Sequence, residues 1–259
     1  MFITTNHRGG IGNVLFKLSA VISLAKSVGY DFIFPTQFLR PNDPDFKLFS
    51  NNILRNINFI PTIQEPYEVW SESEFHYTEI PVPKNSNLLL DGHFQSEKYF
   101  KDHKQFIIDL FKPTLEFKNQ ILEWMPNINE CVSIHVRRGD YLNFPNHHPQ
   151  LSESYFKEAV NTLDSERTFL IFSDDIEWCK ANFSFIKNKY FIEGTQDWVD
   201  MYLMSLCGDN IIANSSFSWW GAYLNENPSK QVIAPSTWFG SVYSHWNTKD
   251  LYPEGWIKL

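Results

Sequence analysis

Between Cys131 and Leu142 the chain reads CVSIHVRRGDYL, with Val132, Ile134 and Val136 alternating with Ser133 and His135 before the apolar run stops at Arg137. That period of two predicts a strand, and its carboxyl end carries Arg137, Arg138, Gly139 and Asp140. The same rhythm of a short apolar run followed by polar or small residues recurs at Phe2–Thr4, Leu88–Leu90, Thr168–Phe172, Lys189–Ile192, Asn210–Ala213 and Lys230–Pro235. Helical spacing fills the intervals. Val14, Leu15, Leu18, Val21, Ile22, Ala25 and Val28 share one helix, with Gly29 where it should stop, and Ser152 is a predicted N-cap for Tyr155 to Leu163. Asp31–Pro35 completes a strand, glycine-rich turn, helix, strand unit, which implies a parallel βαβ arrangement. From Thr36 to Lys84 prolines break the pattern into loops with short helices, and Pro126–Glu130 reads as a linker.

Strands alternating with helices throughout the second half predict a doubly wound nucleotide-type domain, and the first half repeats the layout more loosely. The fold class is therefore α/β, with domains expected at 1–127 and 128–259. In such sheets ligands bind at the carboxyl ends of strands, so Arg137 and Arg138 suggest a phosphate or carboxylate clamp. A surface Arg–Asp network closing a turn fits the local pattern as well. The stretch Asn214-Ser215-Ser216-Phe217 follows a strand and opens a helix, where backbone N–H groups, hydroxyls and the helix dipole converge on a phosphate seat. An ordinary serine N-cap is the plainer alternative.

Composition narrows the classes. The chain of 259 residues is 43% hydrophobic and 17% aromatic, which excludes a chain too polar to fold. A net charge of −8 and a pI near 5.5 argue against a general nucleic-acid or anionic-membrane surface, so any anion site must be local. Cys131, Cys179 and Cys207 lack a CxxC spacing and read as buried thiols of a reducing compartment. No apolar signal core opens the chain, and no stretch approaches the roughly 18 to 20 apolar residues of a membrane span; a cytoplasmic location is expected. Peripheral contact through a lipid-linked substrate stays open. Asp43-Pro44-Asp45 spells DxD, a metal–nucleotide motif, but stands in a proline-rich loop and reads as solvated surface; His147 and His148 lack helical zinc spacing and favour a loop role. No metal ligand set is expected. The glycine spacing after the first strand, Gly9-Gly10-Ile11-Gly12, is not GxGxxG and does not support a nicotinamide fingerprint.

Taken together, Gly10-Ile11-Gly12-Asn13-Val14-Leu15-Phe16, Phe94-Gln95-Ser96-Glu97-Lys98-Tyr99-Phe100, His135-Val136-Arg137-Arg138-Gly139-Asp140-Tyr141, Phe172-Ser173-Asp174-Asp175 and Asn214 to Ala222 resemble, in this order, the blocks of the α-1,2-fucosyltransferases, glycosyltransferase family 11. The resemblance spans roughly residues 8 to 240. It implies a GT-B enzyme, two Rossmann-like domains facing across a cleft, that needs no metal or other cofactor and inverts the anomeric centre of GDP-β-L-fucose to form an α-1,2 linkage to a galactoside. Its partners would be GDP-fucose and a galactose-containing oligosaccharide. Carried over, Arg137 would hold the β-phosphate, with Arg138 supporting it or binding a sugar-side oxygen. His135 and Asp200 would approach guanine, and Ser215, Ser216 and Phe217 would seat the phosphates beside Asn214 and Asp174. Gly10 and Asn13 would approach the transferred sugar and acceptor, with Asn13 joining Arg137 and Asp140 in the chemistry. Asp140 is the carboxylate nearest the clamp, either a base or a brace for Arg138. Where the family block reads GNQ-F-Q, this chain has Val14 and Lys17 in place of the two glutamines, which bears on the acceptor. A transferase using another GDP-sugar and a carbohydrate-binding module whose aromatic residues stack on sugars are the alternative readings.

Overall fold

The computed structural model describes residues 1–39 and 44–259, the side chains of Pro44 and Asp45 excepted; the DxD reading at Asp43 to Asp45 lies outside the described residues. The chain divides into two compact units, Met1–Lys112 with Trp246–Pro253, and Pro113–His245 with Glu254–Leu259.

In the first unit, β1 (Phe2–Thr5) leads into α1 (Ile11–Val28), then β2 (Asp31–Phe32), β3 (Phe34–Pro35), α2 (Pro44–Asn51), β4 (Phe59–Ile60), β5 (Tyr67–Ser71), β6 (Asn87–Asp91) and α3 (Lys104–Phe111). Four strands form a parallel sheet in the order β2-β1-β6-β5. Gly29 ends α1 in the left-handed region, φ 72°, as its position predicts. The strand expected over Asp31–Pro35 is split: β2 pairs with β1, while β3 turns away to pair with β4 in a separate two-stranded sheet. Pro35 has no N–H to continue a ladder. Within the stretch read as loops, β5 is a real strand on the edge of the sheet, its residues mostly exposed, so it lacks the buried face that would have marked it. The expectation of no span-length apolar segment also needs correction, since α1 is 18 residues long and apolar enough to cross a membrane by composition. Ile3 of β1 and Leu15, Phe16, Leu18, Val21 and Ile22 of α1 are fully buried, so that apolarity serves a protein core.

The second unit comprises α4 (Leu115–Trp124), β7 (Val132–Val136), α5 (Glu153–Leu163), β8 (Phe169–Ser173), α6 (Ile176–Asn182), β9 (Lys189–Phe191), α7 (Asp197–Leu206), β10 (Asp209–Ile211), α8 (Ser216–Tyr223), β11 (Val232–Ala234) and β12 (Ile257–Lys258). Its six strands are parallel in the order β12-β11-β10-β7-β8-β9. Numbered within the unit this is 6-5-4-1-2-3, the doubly wound dinucleotide-fold order read from the other edge. Val132, Ile134 and Val136 of β7 join Phe156, Val160, Phe169 and Ile171 in the core beneath α5. The chain reverses its direction of winding between β7 and β10, and a crevice at the carboxyl ends of those two strands is the position such sheets offer a ligand.

Candidate active site

Three strands at the switch point, β7, β8 and β10, lead into the residues the sequence singled out. β7 delivers Arg137 and Arg138, β8 delivers Asp174 and Asp175, and β10 runs through Ile212 and Ala213 to Asn214. The arginines divide their tasks. Arg138 Nε is 3.0 Å from Asp175 Oδ2, its Nη1 donates to Gln150 Oε1 at 2.8 Å, and its Cζ lies 4.1 Å from the centre of the Trp178 ring. Only 14% of its side chain is exposed. Arg137 is a third exposed, with Nη2 2.8 Å from Asp140 Oδ1, Nη1 3.0 Å from Asp174 Oδ2 and Cζ 5.6 Å from the Tyr141 ring centre. Two carboxylates thus fix the plane of the Arg137 fork while its remaining donors are open to a ligand.

Asp174 joins the two arginines, because Oδ2 meets Arg137 and Oδ1 accepts the backbone N–H of Arg138 at 2.8 Å. Gly139 makes room for it: a Cβ there would stand 2.5 Å from Asp174 Oδ2. Asp175 is committed elsewhere, accepting the Trp178 N–H at 3.2 Å as the cap of α6. Tyr141, the next aromatic residue along the loop, donates its hydroxyl to the Asn214 carbonyl at 2.9 Å and stacks on His148 with 4.6 Å between ring centres. It ties the Arg137 loop to the start of α8. Burial raises its phenol pKa, keeping it a donor. Nothing in the sequence pattern marked Tyr141, Gln150 or Trp178 for these roles, since each partner lies 12 to 73 residues away.

At the α8 junction Asn214 donates Nδ2 to the carbonyls of Pro149 and Trp238, at 2.9 and 3.2 Å, and its buried Oδ1 has no hydrogen-bond partner among the described residues. Ser215 caps the helix, its Oγ accepting the Phe217 N–H at 3.4 Å, and Ser216 and Phe217 occupy the first turn, half-buried. His135 lies inside the sheet, 4% exposed, with its ring centre 5.3 Å from that of Phe217. Burial, with the Arg137 charge second, lowers its pKa to about 3, so it is neutral at any ordinary pH. It supports Phe217 from behind rather than standing in the open. Asp200, in the first turn of α7, accepts the Thr195 hydroxyl; burial raises its carboxyl to about 6 against that bond, with the Asp197 charge adding to the rise.

Gly10 and Asn13 belong to the first unit. Gly10 precedes α1 and its carbonyl accepts the N–H groups of Asn13 and Val14 at 2.9 and 3.1 Å, while Asn13 Oδ1 accepts from Gln95 Nε2 at 2.9 Å. Among the described residues no group of three or more His, Cys, Asp or Glu side chains could hold a metal ion.

The family model described as glycosyl transferase family 11 matches residues 2–259. The chain belongs to that family. Its relatives include an alpha-1,2-colitosyltransferase of Escherichia coli, 35% identical over 82% of this chain and 76% of the relative. The O-antigen biosynthesis glycosyltransferase WbnK, also of E. coli, is 33% identical over 66% of this chain and 60% of its own length. A galactoside 2-alpha-L-fucosyltransferase of Caenorhabditis elegans is 24% identical over 99% of this chain and 79% of its own. Among solved structures the fold of this family 11 member matches NodZ alpha-1,6-fucosyltransferase co-crystallized with GDP, TM-score 0.56 at 14% identity over 85% of this chain and 91% of that one. It also matches POFUT1 in complex with GDP, TM-score 0.54 at 9% identity over 90% and 97%. Family 11 membership makes the protein a glycosyltransferase and favours an enzyme over a binding module.

Proposed function

We propose that this protein is a metal-independent, inverting transferase that moves L-fucose from GDP-β-L-fucose to the 2-hydroxyl of a galactoside. The observation that carries the reading is Arg137, an oriented guanidinium at the switch point of a dinucleotide-type sheet, on the strand next to the Asn214–Phe217 helix start. In this account the first unit takes the acceptor and the second the donor, as in a GT-B enzyme. The β-phosphate meets Arg137 by displacing the exposed Asp140 carboxylate from Nη2, while Asp174 keeps Nη1 and the plane of the fork. The Ser216 N–H supplies a further donor. As the C1–O bond of the donor breaks, charge grows on the GDP oxygen that Arg137 faces, and a preorganised cation there is the electrostatic aid a divalent ion would otherwise give. Arg138, caged by Asp175, Gln150 and Trp178, acts as the support of this loop, and Asp140 as its release rather than the base. Asp200 accepts from N1–H and the 2-amino group of guanine once Thr195 gives way.

The colitosyltransferase relative favours a second donor reading. Colitose is the 3-deoxy counterpart of L-fucose, so a site of this family 11 type could take GDP-colitose with the same clamp. Thermal stabilisation by GDP, GDP-fucose, GDP-colitose and GDP-mannose, each with EDTA, separates them. The proposal expects the largest shift from GDP-fucose, undiminished by EDTA. Stabilisation that requires a divalent ion, or that is greatest with GDP-mannose, would overturn it.

A further inference from the structure

Within the second unit, the loop that follows the Arg137 clamp is pinned at both ends to the start of α8. Asp140–Asn143 make a short 3₁₀ turn, and the chain then runs through Phe144-Pro145-Asn146-His147-His148-Pro149. Tyr141 donates its hydroxyl to the Asn214 carbonyl at 2.9 Å, and the Pro149 carbonyl accepts Asn214 Nδ2 at 2.9 Å. Between these ties the His148 N–H donates to the Phe144 carbonyl at 3.0 Å. The loop after β11 braces the same stretch, the Gly240 N–H donating to the His147 carbonyl at 2.9 Å and the Val242 N–H to the Asn146 carbonyl at 3.0 Å. A Cβ at Gly240 would collide with that Asn146 carbonyl, so glycine lets the two loops touch. His148 is thereby held in place, its ring lying on Tyr141 with 4.6 Å between centres and 16° between planes.

The backbone of His148 is committed, but its ring is not. Nδ1 is buried without a hydrogen-bond partner among the described residues. Burial lowers the pKa of the imidazole most; the Asp140 charge raises it, and His147 and Arg137 lower it further. Tyr141, Phe239 and Tyr243 supply the rings around it, the last two with centres 5.9 and 6.1 Å away, and burial raises the Tyr141 phenol so that it stays neutral. Asp140 is the movable member of this group. Its carboxylate pairs with Arg137 Nη2 at 2.8 Å while its side chain is 59% exposed, so leaving that pair costs little.

Resting on the proposed donor reading, we propose that Asp140 and His148 form a two-position switch on the Arg137 clamp. Asp140 holds Arg137 Nη2 before the donor arrives; when the β-phosphate of GDP takes that place, the freed carboxylate pairs with His148, which takes up a proton from solvent. No covalent bond of GDP changes in this step. Two charge changes favour the protonated imidazole together, because the phosphate offsets the Arg137 cation that opposed it and Asp140 is released from the cation that had offset its own charge. His148 then binds its proton more tightly with GDP than without. Donor binding therefore strengthens as pH falls through the histidine range, and the gain fades as pH rises above it. His148 is a positioning residue here, drawing Asp140 away from the fork that the phosphate needs.

Calorimetric titration with GDP at pH 8 and pH 6, each in two buffers of different ionisation enthalpy, reads both affinity and proton uptake. The phosphate of GDP and the Asp200 carboxyl, at about 6, titrate in the same window, so the comparison between variants carries the result. Between pH 8 and pH 6 the affinity of the unaltered protein should gain about threefold or more over that of His148→Gln, with more protons taken up per GDP. Asp140→Asn, an exposed change of the same shape, should bind GDP more tightly at pH 8, because no carboxylate has to leave Arg137, and should lose most of the gain at pH 6. His147→Gln, the neighbouring imidazole, should keep that gain. Equal proton uptake in the unaltered protein and in His148→Gln, or in the unaltered protein and in Asp140→Asn, overturns the switch and leaves the donor reading standing. Weaker binding by Asp140→Asn at pH 8 overturns its place on the clamp, and a gain lost in His147→Gln but kept in His148→Gln overturns the role of His148. Failure of GDP to bind the unaltered protein overturns the donor reading and this proposal with it.

Discussion

Replacing the two adjacent arginines one at a time should separate a ligand contact from a structural brace. In Arg138→Ala the protein loses an ion pair to Asp175 with partners 14% and 30% exposed, a bond to Gln150 and the stack on Trp178. For partners this shielded, about 1.5 kcal/mol for the charged bond, about 1 for the neutral acceptor and about 0.5 for the ring contact give roughly 3 kcal/mol. Arg137→Ala removes pairs whose side chains are 34%, 59% and 26% exposed, the class worth about 0 to 1 kcal/mol. With a urea slope of about 2 kcal/mol/M, the unfolding midpoint should fall by roughly 1.5 M in Arg138→Ala and, for two exposed pairs of up to about 1 kcal/mol each, by less than about 1 M in Arg137→Ala. Activity should run the other way: Arg137→Ala is expected to lose kcat by about 10²-fold or more in material that remains folded. Arg138→Lys keeps the charge but loses the fork and the flat stack, so its midpoint should lie between those of the native protein and Arg138→Ala. Urea titration followed by tryptophan fluorescence, alongside a transfer assay, reads both quantities. Equal midpoints for the two alanine variants, or near-normal turnover in Arg137→Ala, would refute the division of labour.

Two further outcomes follow from the same geometry. The Asp200 carboxyl, raised to about 6 in the fold against 3.8, binds its proton more tightly folded than unfolded, so its effect on stability is unfavourable above pH 6 and relieved as pH falls through the 6 to 4 window. Asp200→Asn should therefore stabilise the ligand-free protein at pH 8 by up to about 3 kcal/mol and by little at pH 4, while weakening GDP binding; unfolding at the two pH values and a GDP titration check both signs. Gly92→Ala places a Cβ 2.6 Å from Glu72 Cβ and 2.9 Å from Phe94 Cζ, and should cost about 2 kcal/mol, read as a thermal midpoint several degrees lower.

The second unit was legible in the sequence because its central strands are buried on both faces. β7 alternates Val132, Ile134 and Val136 with polar residues, β8 is a short apolar run, β10 continues into the apolar Ile212 and Ala213, and each leads to polar residues that the sheet then places at one edge. A strand that is central announces both its type and its carboxyl end. β5 carries neither mark, being an exposed edge, and the division of Asp31–Pro35 between two sheets depends on where the chain turns at Phe34. In the candidate site the sequence showed which residues stand at strand ends but not which side chains pair there. Arg137 and Arg138 look alike in the chain, and only the Asp175–Gln150–Trp178 cage, brought together from the start of α6 and the loop before α5, shows which one faces inward. His135 shows the same limit: its place in an alternating strand is visible, while its burial against Phe217 is a consequence of α8 packing. The hydrogen bonds from Lys17 Nζ to Asn6 Oδ1 and from Asn6 Nδ2 to Asp91 Oδ1 were beyond reach, because they join residues 11 and 85 positions apart. The departure at Lys17 was visible; its reason was not.

The most direct measurement is transfer from GDP-fucose to a galactoside in EDTA, with the product's linkage and anomeric configuration read by NMR. The account predicts an α-1,2-linked fucoside, formed as fast with chelator as with added magnesium. A requirement for the divalent ion, a β-linked product or transfer from a UDP-sugar instead would contradict it.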